Sequence, residues 1–216
     1  LFISAGSTGA LMAAGLFILH RITGIDRPAI ASIYPILGRS FSLLVDAGAN
    51  AECRATNLLE FATMGSIYSE HVMGVSNPKV GLVNIGTEEV KGTAVIKETY
   101  RLLKESSLNF IGNVEAREVP IGVCDVIVAD GFVGNVILKL TEGLAMNIFS
   151  MIKAKITAGS VAKMGALLLK GAFKSLKEEL DYSEYGGAPL LGIRGPVIKM
   201  HGSSDSNAVR NSILRA

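Results

Sequence analysis

The sequence predicts an α/β protein with a layered, largely parallel sheet and a helical hairpin inserted late in the chain. Three observations point there. Short apolar, β-branched runs alternate with longer segments of helical spacing. Turns that combine glycine with hydrogen-bonding side chains follow these runs. Residues 141 to 182 then leave this rhythm for two amphipathic stripes.

The strand candidates are Pro28 to Tyr34, Phe41 to Val45, Val80 to Ile85, Asn109 to Gly112, Val123 to Ala129 and Val197 to Met200. Leu1-Phe2-Ile3 reads as the end of a strand already under way, and with no initiator methionine it suggests a further segment before it. Thr8 to His20 has helical spacing. Leu58, Phe61, Ala62, Ile67 and Tyr68 share one face of a second helix, and Val95, Ile96, Tyr100 and Leu103 mark a third. Strands alternating with helices favour a parallel sheet covered on both faces.

In the hairpin, Leu144, Ile148, Met151, Ile152 and Ile156 form one stripe, and Val161, Met164, Leu168, Ala172 and Leu176 form another. Thr157 to Ser160 is the expected turn. From Gly143 to Lys177 there are six lysines and no carboxylate. Such a surface suits core packing, a partner subunit or an anionic lipid surface. The expected organisation is therefore an α/β core over 1–140, the hairpin over 141–182 and a return to the core over 183–216.

Composition narrows the function. A net charge of +2 is too small to imply nucleic acid. Two cysteines without a C-x-x-C pair, and three scattered histidines, argue against a disulfide framework and a Cys- or His-built metal site. The first nineteen residues carry no charge, but glycines and hydroxyl residues dilute them. The apolar run from Ala10 to Leu19 is too short to cross a bilayer, so a cytosolic protein is the default expectation.

In open α/β sheets ligands bind beyond the carboxyl ends of strands. Six exits are rich in glycine and polar side chains: Ser4 to Gly9, Asp46 to Asn50, Asn84 to Gly92, Gly112 to Glu115, Asp130 to Asn135 and His201 to Ser204. Converging on one rim, they would line a polar cleft. Several precede helices, whose N-termini favour anions, although simple N-capping by Ser or Asp uses the same residues. No two glycines are two positions apart and no Walker A loop is present. Phosphate itself, or a phosphorylated small molecule, is left as the expected anion.

Seven segments then carry a resemblance: Ser4-Ala-Gly-Ser-Thr-Gly-Ala-Leu-Met12, Gly24-Ile-Asp-Arg-Pro-Ala29, Asp46-Ala-Gly-Ala-Asn50, Phe110-Ile-Gly-Asn-Val-Glu115, Asp130-Gly-Phe-Val-Gly-Asn135, Tyr185-Gly-Gly-Ala-Pro-Leu190 and His201-Gly-Ser-Ser-Asp-Ser-Asn207. In this order they resemble the PlsX family of phosphate acyltransferases along essentially the whole chain. Ser7 stands where the family carries asparagine, and the family's first α/β segment, with its Met-Gly-Gly-Asp turn, has no counterpart.

The resemblance implies a fold similar to phosphate acetyltransferases and the isocitrate and isopropylmalate dehydrogenases. It implies a homodimer loosely attached to the cytoplasmic membrane, using the hairpin. The implied reaction passes an acyl group from acyl carrier protein to inorganic phosphate, for phospholipid synthesis, with no cofactor. A thioester is already activated, so phosphate can attack directly and no nucleophilic side chain is needed. On this reading Lys91 and Asn135 are the catalytic candidates, as phosphate or oxyanion partners. Ser4, Gly6, Ser7, Thr8, Gly9, Asp130, Gly131, His201, Gly202 and Ser203 are the candidate phosphate or substrate contacts. Asp130 and Glu115 either orient the catalytic pair or cap helices. The rival readings are a coenzyme A-dependent phosphate acetyl- or butyryltransferase, a metal-dependent hydroxyacid dehydrogenase and a non-catalytic membrane-surface scaffold.

Overall fold

The structure, a computed structural model, describes residues 1–36, 41–157, 159–179, 187–202 and 204–214. Its strands are β1 (Phe2–Ser4), β2 (Ala29–Tyr34), β3 (Ser42–Val45), β4 (Val80–Asn84), β5 (Phe110–Glu115), β6 (Val126–Val128), β7 (Ala188–Leu191) and β8 (Val197–Lys199). The helices are α1 (Thr8–Ala14, continued by a π-helical turn over Gly15–Leu19), α2 (Ala55–His71), α3 (Ala94–Glu105), α4 (Gly131–Ile156), α5 (Ser160–Leu168), α6 (Lys170–Glu179) and α7 (Ser206–Leu214).

The strands form one sheet in the order β1-β8-β7-β2-β3-β6-β4-β5. Strands β3, β6, β4 and β5 are parallel, as are β1 and β8. The pairs β3–β2, β2–β7 and β7–β8 are antiparallel. The α/β class is as expected, with a sheet that is mixed at its centre. Following these senses from strand to strand, β1, β2 and β8 run opposite to β3, β4, β5, β6 and β7.

The two faces follow the strand period of two. Leu43, Val45, Val80, Leu82, Val126 and Val128 point to a cluster with Leu58, Phe61 and Ala62 of α2 and Leu103 of α3. Leu44, Val83, Val114 and Ile127 point to the opposite cluster, which holds Leu11 of α1 and is covered by Val133, Ile137 and Leu138 of α4. Phe61, Leu43 and Leu58 are almost wholly buried; truncating such a side chain to alanine typically costs about 2–5 kcal/mol.

Helix α4 starts at Gly131, ten residues before the expected hairpin boundary, because Asp130 caps it directly after β6. It ends at Ile156, next to the expected turn. The second stripe is split at Leu169 into α5 and α6, with Gly165 and Gly171 lowering helix propensity on either side. By length and composition α4 could span a membrane. Its first turns, however, lie on the sheet, and the Tyr34 hydroxyl is 2.8 Å from that of Thr141. Beyond them Leu144, Met146, Met151, Met164, Leu167 and Leu168 stand exposed.

Candidate functional site

The strand senses divide the expected cleft in two. The exits of β3, β4, β5 and β6 lie at one edge of the sheet, and those of β1 and β8 at the other. Convergence of all six on one rim, expected from the sequence, does not occur. It presumed strands of one sense, and three antiparallel pairings intervene.

At the first edge the organising residue is Asp46, which is fully buried. Its carboxylate accepts from the backbone N–H groups of Ile30, Gly48, Ala49 and Asn50 and from the Asn50 amide. Burial pushes this carboxyl upward, and the donors on Ala49, Asn50 and Ile30 oppose that rise. Asn50 extends the network. Its side chain donates to the Pro28 carbonyl at 2.8 Å, and its own carbonyl accepts from Gly131 N–H at 2.7 Å.

The start of α4 is pressed against this loop. A Cβ at Gly134 would lie 1.9 Å from the Asp46 carbonyl oxygen, and one at Gly131 would lie 2.7 Å from the Asn50 nitrogen. Only glycine lets the two backbones approach so closely. Asp130 caps the helix, accepting from Val133 N–H at 2.7 Å. Two of the first N–H groups of α4 are thus already engaged by protein. Asn135 follows on the first turns, half-buried, with its side chain against Gly48.

The neighbouring exit carries Lys91 on the loop between β4 and α3. The loop is held from beneath: the Asn84 amide donates to the Lys91 carbonyl at 3.2 Å and the Asn113 amide to the Glu88 carbonyl at 3.0 Å. Glu89 pairs with Lys104 of α3 at 2.6 Å. The Lys91 side chain is exposed and makes no hydrogen bond or ion pair among the described residues. Glu115 pairs with Arg117 at 2.6 Å, rather than with Lys91 or Asn135.

At the second edge, Ser4 and Lys199 are register partners across β1 and β8, and Met200 N–H donates to the Ser4 carbonyl at 2.8 Å. The Ser4 hydroxyl accepts from Gly6 N–H at 3.1 Å. Ser7 is the N-cap of α1, yet its side chain makes no capping bond. Thr8 is half-buried, while Gly6, Gly9, His201 and Gly202 are exposed. Ser203 lies outside the described residues. Asp205 accepts from Ala208 N–H at 2.9 Å at the start of α7.

One residue at this edge was missed from sequence: Lys199, the last residue of β8. Burial, and next the like charge of Lys139, hold the Lys199 ammonium below the usual lysine range. The cysteines play no part in either edge as nucleophiles. Burial pushes both Cys53 and Cys124 up to about 12, where the thiolate is scarce at neutral pH.

As a whole this architecture is that of the phosphotransacetylase fold. The chain superposes on a phosphotransacetylase from Streptococcus pyogenes with a TM-score of 0.66 at 17% identity, covering 99% of this chain and 60% of that one. It superposes on the EutD phosphotransacetylase from Staphylococcus aureus with a TM-score of 0.61 at 19% identity, again over 99% and 60%. At these identities the likeness is one of fold.

The sequence is more specific, because the family model described as "Fatty acid synthesis protein" matches residues 1–216, and the chain belongs to that family. Its relatives include the phosphate acyltransferase of Alkaliphilus oremlandii, 61% identical over 214 residues, which are 99% of this chain and 64% of that protein. The phosphate acyltransferase of Clostridioides difficile is 54% identical over 211 residues, 98% of this chain and 62% of that protein. The chain therefore spans just under two thirds of the length of these curated relatives.

Proposed function

We propose that this chain forms most of an acyltransferase that moves a fatty acyl group from acyl carrier protein thioester to inorganic phosphate, for phospholipid synthesis. The observation that carries the reading is the family match over residues 1–216, with relatives that bear the name phosphate acyltransferase, one of them 61% identical. In the reaction a phosphate oxygen attacks the thioester carbonyl carbon and a tetrahedral oxyanion forms. The C–S bond then breaks, and the proton of hydrogen phosphate passes to the departing thiolate. This chemistry calls for an anion cradle and an oxyanion donor, not a protein nucleophile. Both cysteines are protonated at neutral pH, in keeping with that requirement.

In this reading Asn135, at the start of α4, offers its amide to the oxyanion, and Lys91 contributes positive charge from the β4 exit. Ser4, Gly6, Ser7, Thr8 and Gly9, with His201, Gly202 and Ser203, form the phosphate-side loops. Asp130 and Gly131 act indirectly, by fixing the helix that carries Asn135. The exposed apolar residues of α4 and α5 support a second element of the proposal: a homodimer seated loosely on the cytoplasmic membrane through the hairpin.

The test supplies the full-length protein with acyl carrier protein thioester, with and without orthophosphate, and traps acyl phosphate with hydroxylamine. Phosphate-dependent hydroxamate is expected, with acyl-CoA a poorer donor. Asn135→Ala and Lys91→Ala should each lower the rate by about a hundredfold or more while leaving the circular dichroism unchanged. Equal use of acyl-CoA would point to the coenzyme A-dependent rival. Wild-type rates in both variants would overturn the residue assignment.

A further inference from the structure

We infer that the arginine-bearing surface around the Gly24 to Asp26 loop is the dock for the acyl carrier protein, an inference that rests on the reaction proposed above. The segment Gly24-Ile-Asp-Arg-Pro-Ala29 carries part of the resemblance, yet the candidate site gives its first four residues no task. Its organising residue is Asp26. One carboxylate oxygen accepts from Arg21 at 3.3 Å, and the other from Arg54 at 2.5 Å and the Asn57 amide at 2.9 Å. Glu60 of α2 accepts from the backbone N–H groups of Asp26 and Arg27, at 3.0 and 3.3 Å. Both carboxylates are thus occupied in holding the loop. Two further arginines flank it without a partner of that kind. Arg27, the next residue after Asp26, and Arg194 are exposed and make no ion pair among the described residues. Arg194 is tied to the same loop, its guanidinium donating to the Thr23 hydroxyl at 3.3 Å and its backbone N–H to the His20 carbonyl at 3.0 Å.

Composition points to a protein as the occupant. No lysine occurs in 16–27, 50–60 or 190–196, so the positive charge here is all arginine. Protein interfaces favour arginine over lysine, because its planar fork meets a carboxylate with two hydrogen bonds. Asp26 already fixes Arg21 and Arg54, so little side-chain freedom is lost when carboxylates on a folded acidic partner arrive. Beside them lies an open cleft of about 570 Å³, lined by Leu16, Ile22 and Ile25 as well as Arg21 and Thr23, with room for an apolar anchor. Ile18 and Ile22 are exposed next to it. The surface also adjoins the candidate site through a chain of bonds. The Pro28 carbonyl accepts from Asn50, whose own carbonyl accepts from Gly131 at the start of α4, the helix that carries Asn135. A carrier seated over Arg27 delivers its thioester arm to the edge where the oxyanion donor stands.

The experiment uses full-length protein, acyl carrier protein loaded with a fatty acyl thioester, and the double variant Arg27→Glu with Arg194→Glu. Neither arginine anchors the loop through a carboxylate, so circular dichroism should be unchanged. Carrier affinity is read by titration calorimetry. KM is read separately for the carrier thioester, for orthophosphate and for the same acyl group on free pantetheine. The variant should lose about tenfold or more in carrier affinity and gain as much in carrier KM. Phosphate KM and turnover of the pantetheine thioester should not move. Lys79→Glu with Arg210→Glu, the same change in charge placed before β4 and on α7, should bind carrier as the wild type does. Arg27→Lys with Arg194→Lys, which keeps the charge, should retain much of the affinity. Carrier affinity within twofold of wild type in the Arg27→Glu, Arg194→Glu protein would overturn the inference. So would an equal loss in the Lys79→Glu, Arg210→Glu control, which reduces the effect to net charge. Weaker partition onto anionic vesicles with carrier affinity intact would overturn it too, giving the surface to the membrane. Arginine-dependent carrier binding in a protein that makes no acyl phosphate sinks the proposed reaction and spares the dock. Acyl phosphate synthesis from carrier thioester that is indifferent to the reversal does the opposite.

Discussion

Asp46 shows how one residue fixes the first edge. Its buried carboxylate gathers the N–H groups of the loop after β3 and of β2, and Asn50 passes that order on to Gly131. The sequence showed the Asp46 to Asn50 segment as a polar exit, but nothing in it revealed a carboxylate turned inward, because burial depends on the strand that pairs beside it. Gly134 is the sharpest test of the arrangement. Gly134→Ala sets a methyl group against the Asp46 carbonyl, a backbone atom that cannot step aside, and should cost about 1–3 kcal/mol or more in a urea denaturation. Gly143, in the same helix with open space around it, supplies the control: Gly143→Ala should stabilise by about 0.5–1 kcal/mol. Equal midpoints for the two variants would show that the close approach carries no energetic weight.

Among the elements, those with strong periodicity were the most legible. Strands β2, β3, β4, β6 and β8 lie within or close to the runs that their β-branched residues mark, and helices α2 and α3 pack most of the faces that their spacing picks out into the core, with Ile67 and Val95 left exposed. Strand β7 was missed, since Ala188-Pro-Leu-Leu191 is short and contains proline, which usually demotes a run. The hairpin was legible as amphipathic, but the break at Leu169 was not. Its exposed stripes make distinct predictions. Leu144→Glu with Met151→Glu should convert a dimer to monomers in light scattering, because both side chains project from α4 beyond the sheet. Leu167→Glu with Leu168→Glu should leave the mass unchanged and lower partition onto anionic vesicles by about tenfold or more. Unchanged mass and unchanged partition would mean that neither stripe meets a partner.

The whole molecule differs from its sequence-based picture in one respect that governs the site. Glycine-bearing exits could be read along the chain, but the sense of each strand could not, because sense depends on which strands become neighbours. The central antiparallel pairings therefore set the exits of β1 and β8 apart from the rest, and α4 runs from its cap at Asp130, beside the first group, to Thr141 against Tyr34 at the carboxyl end of β2. A practical consequence attaches to the cysteines. With Cys53 and Cys124 raised to about 12, roughly one thiol in a hundred thousand is ionised at pH 7, so maleimide and iodoacetamide dyes should scarcely mark the unaltered chain. A cysteine placed on the exposed hairpin would then report its surroundings by fluorescence against a dark background, with no native thiol to remove first.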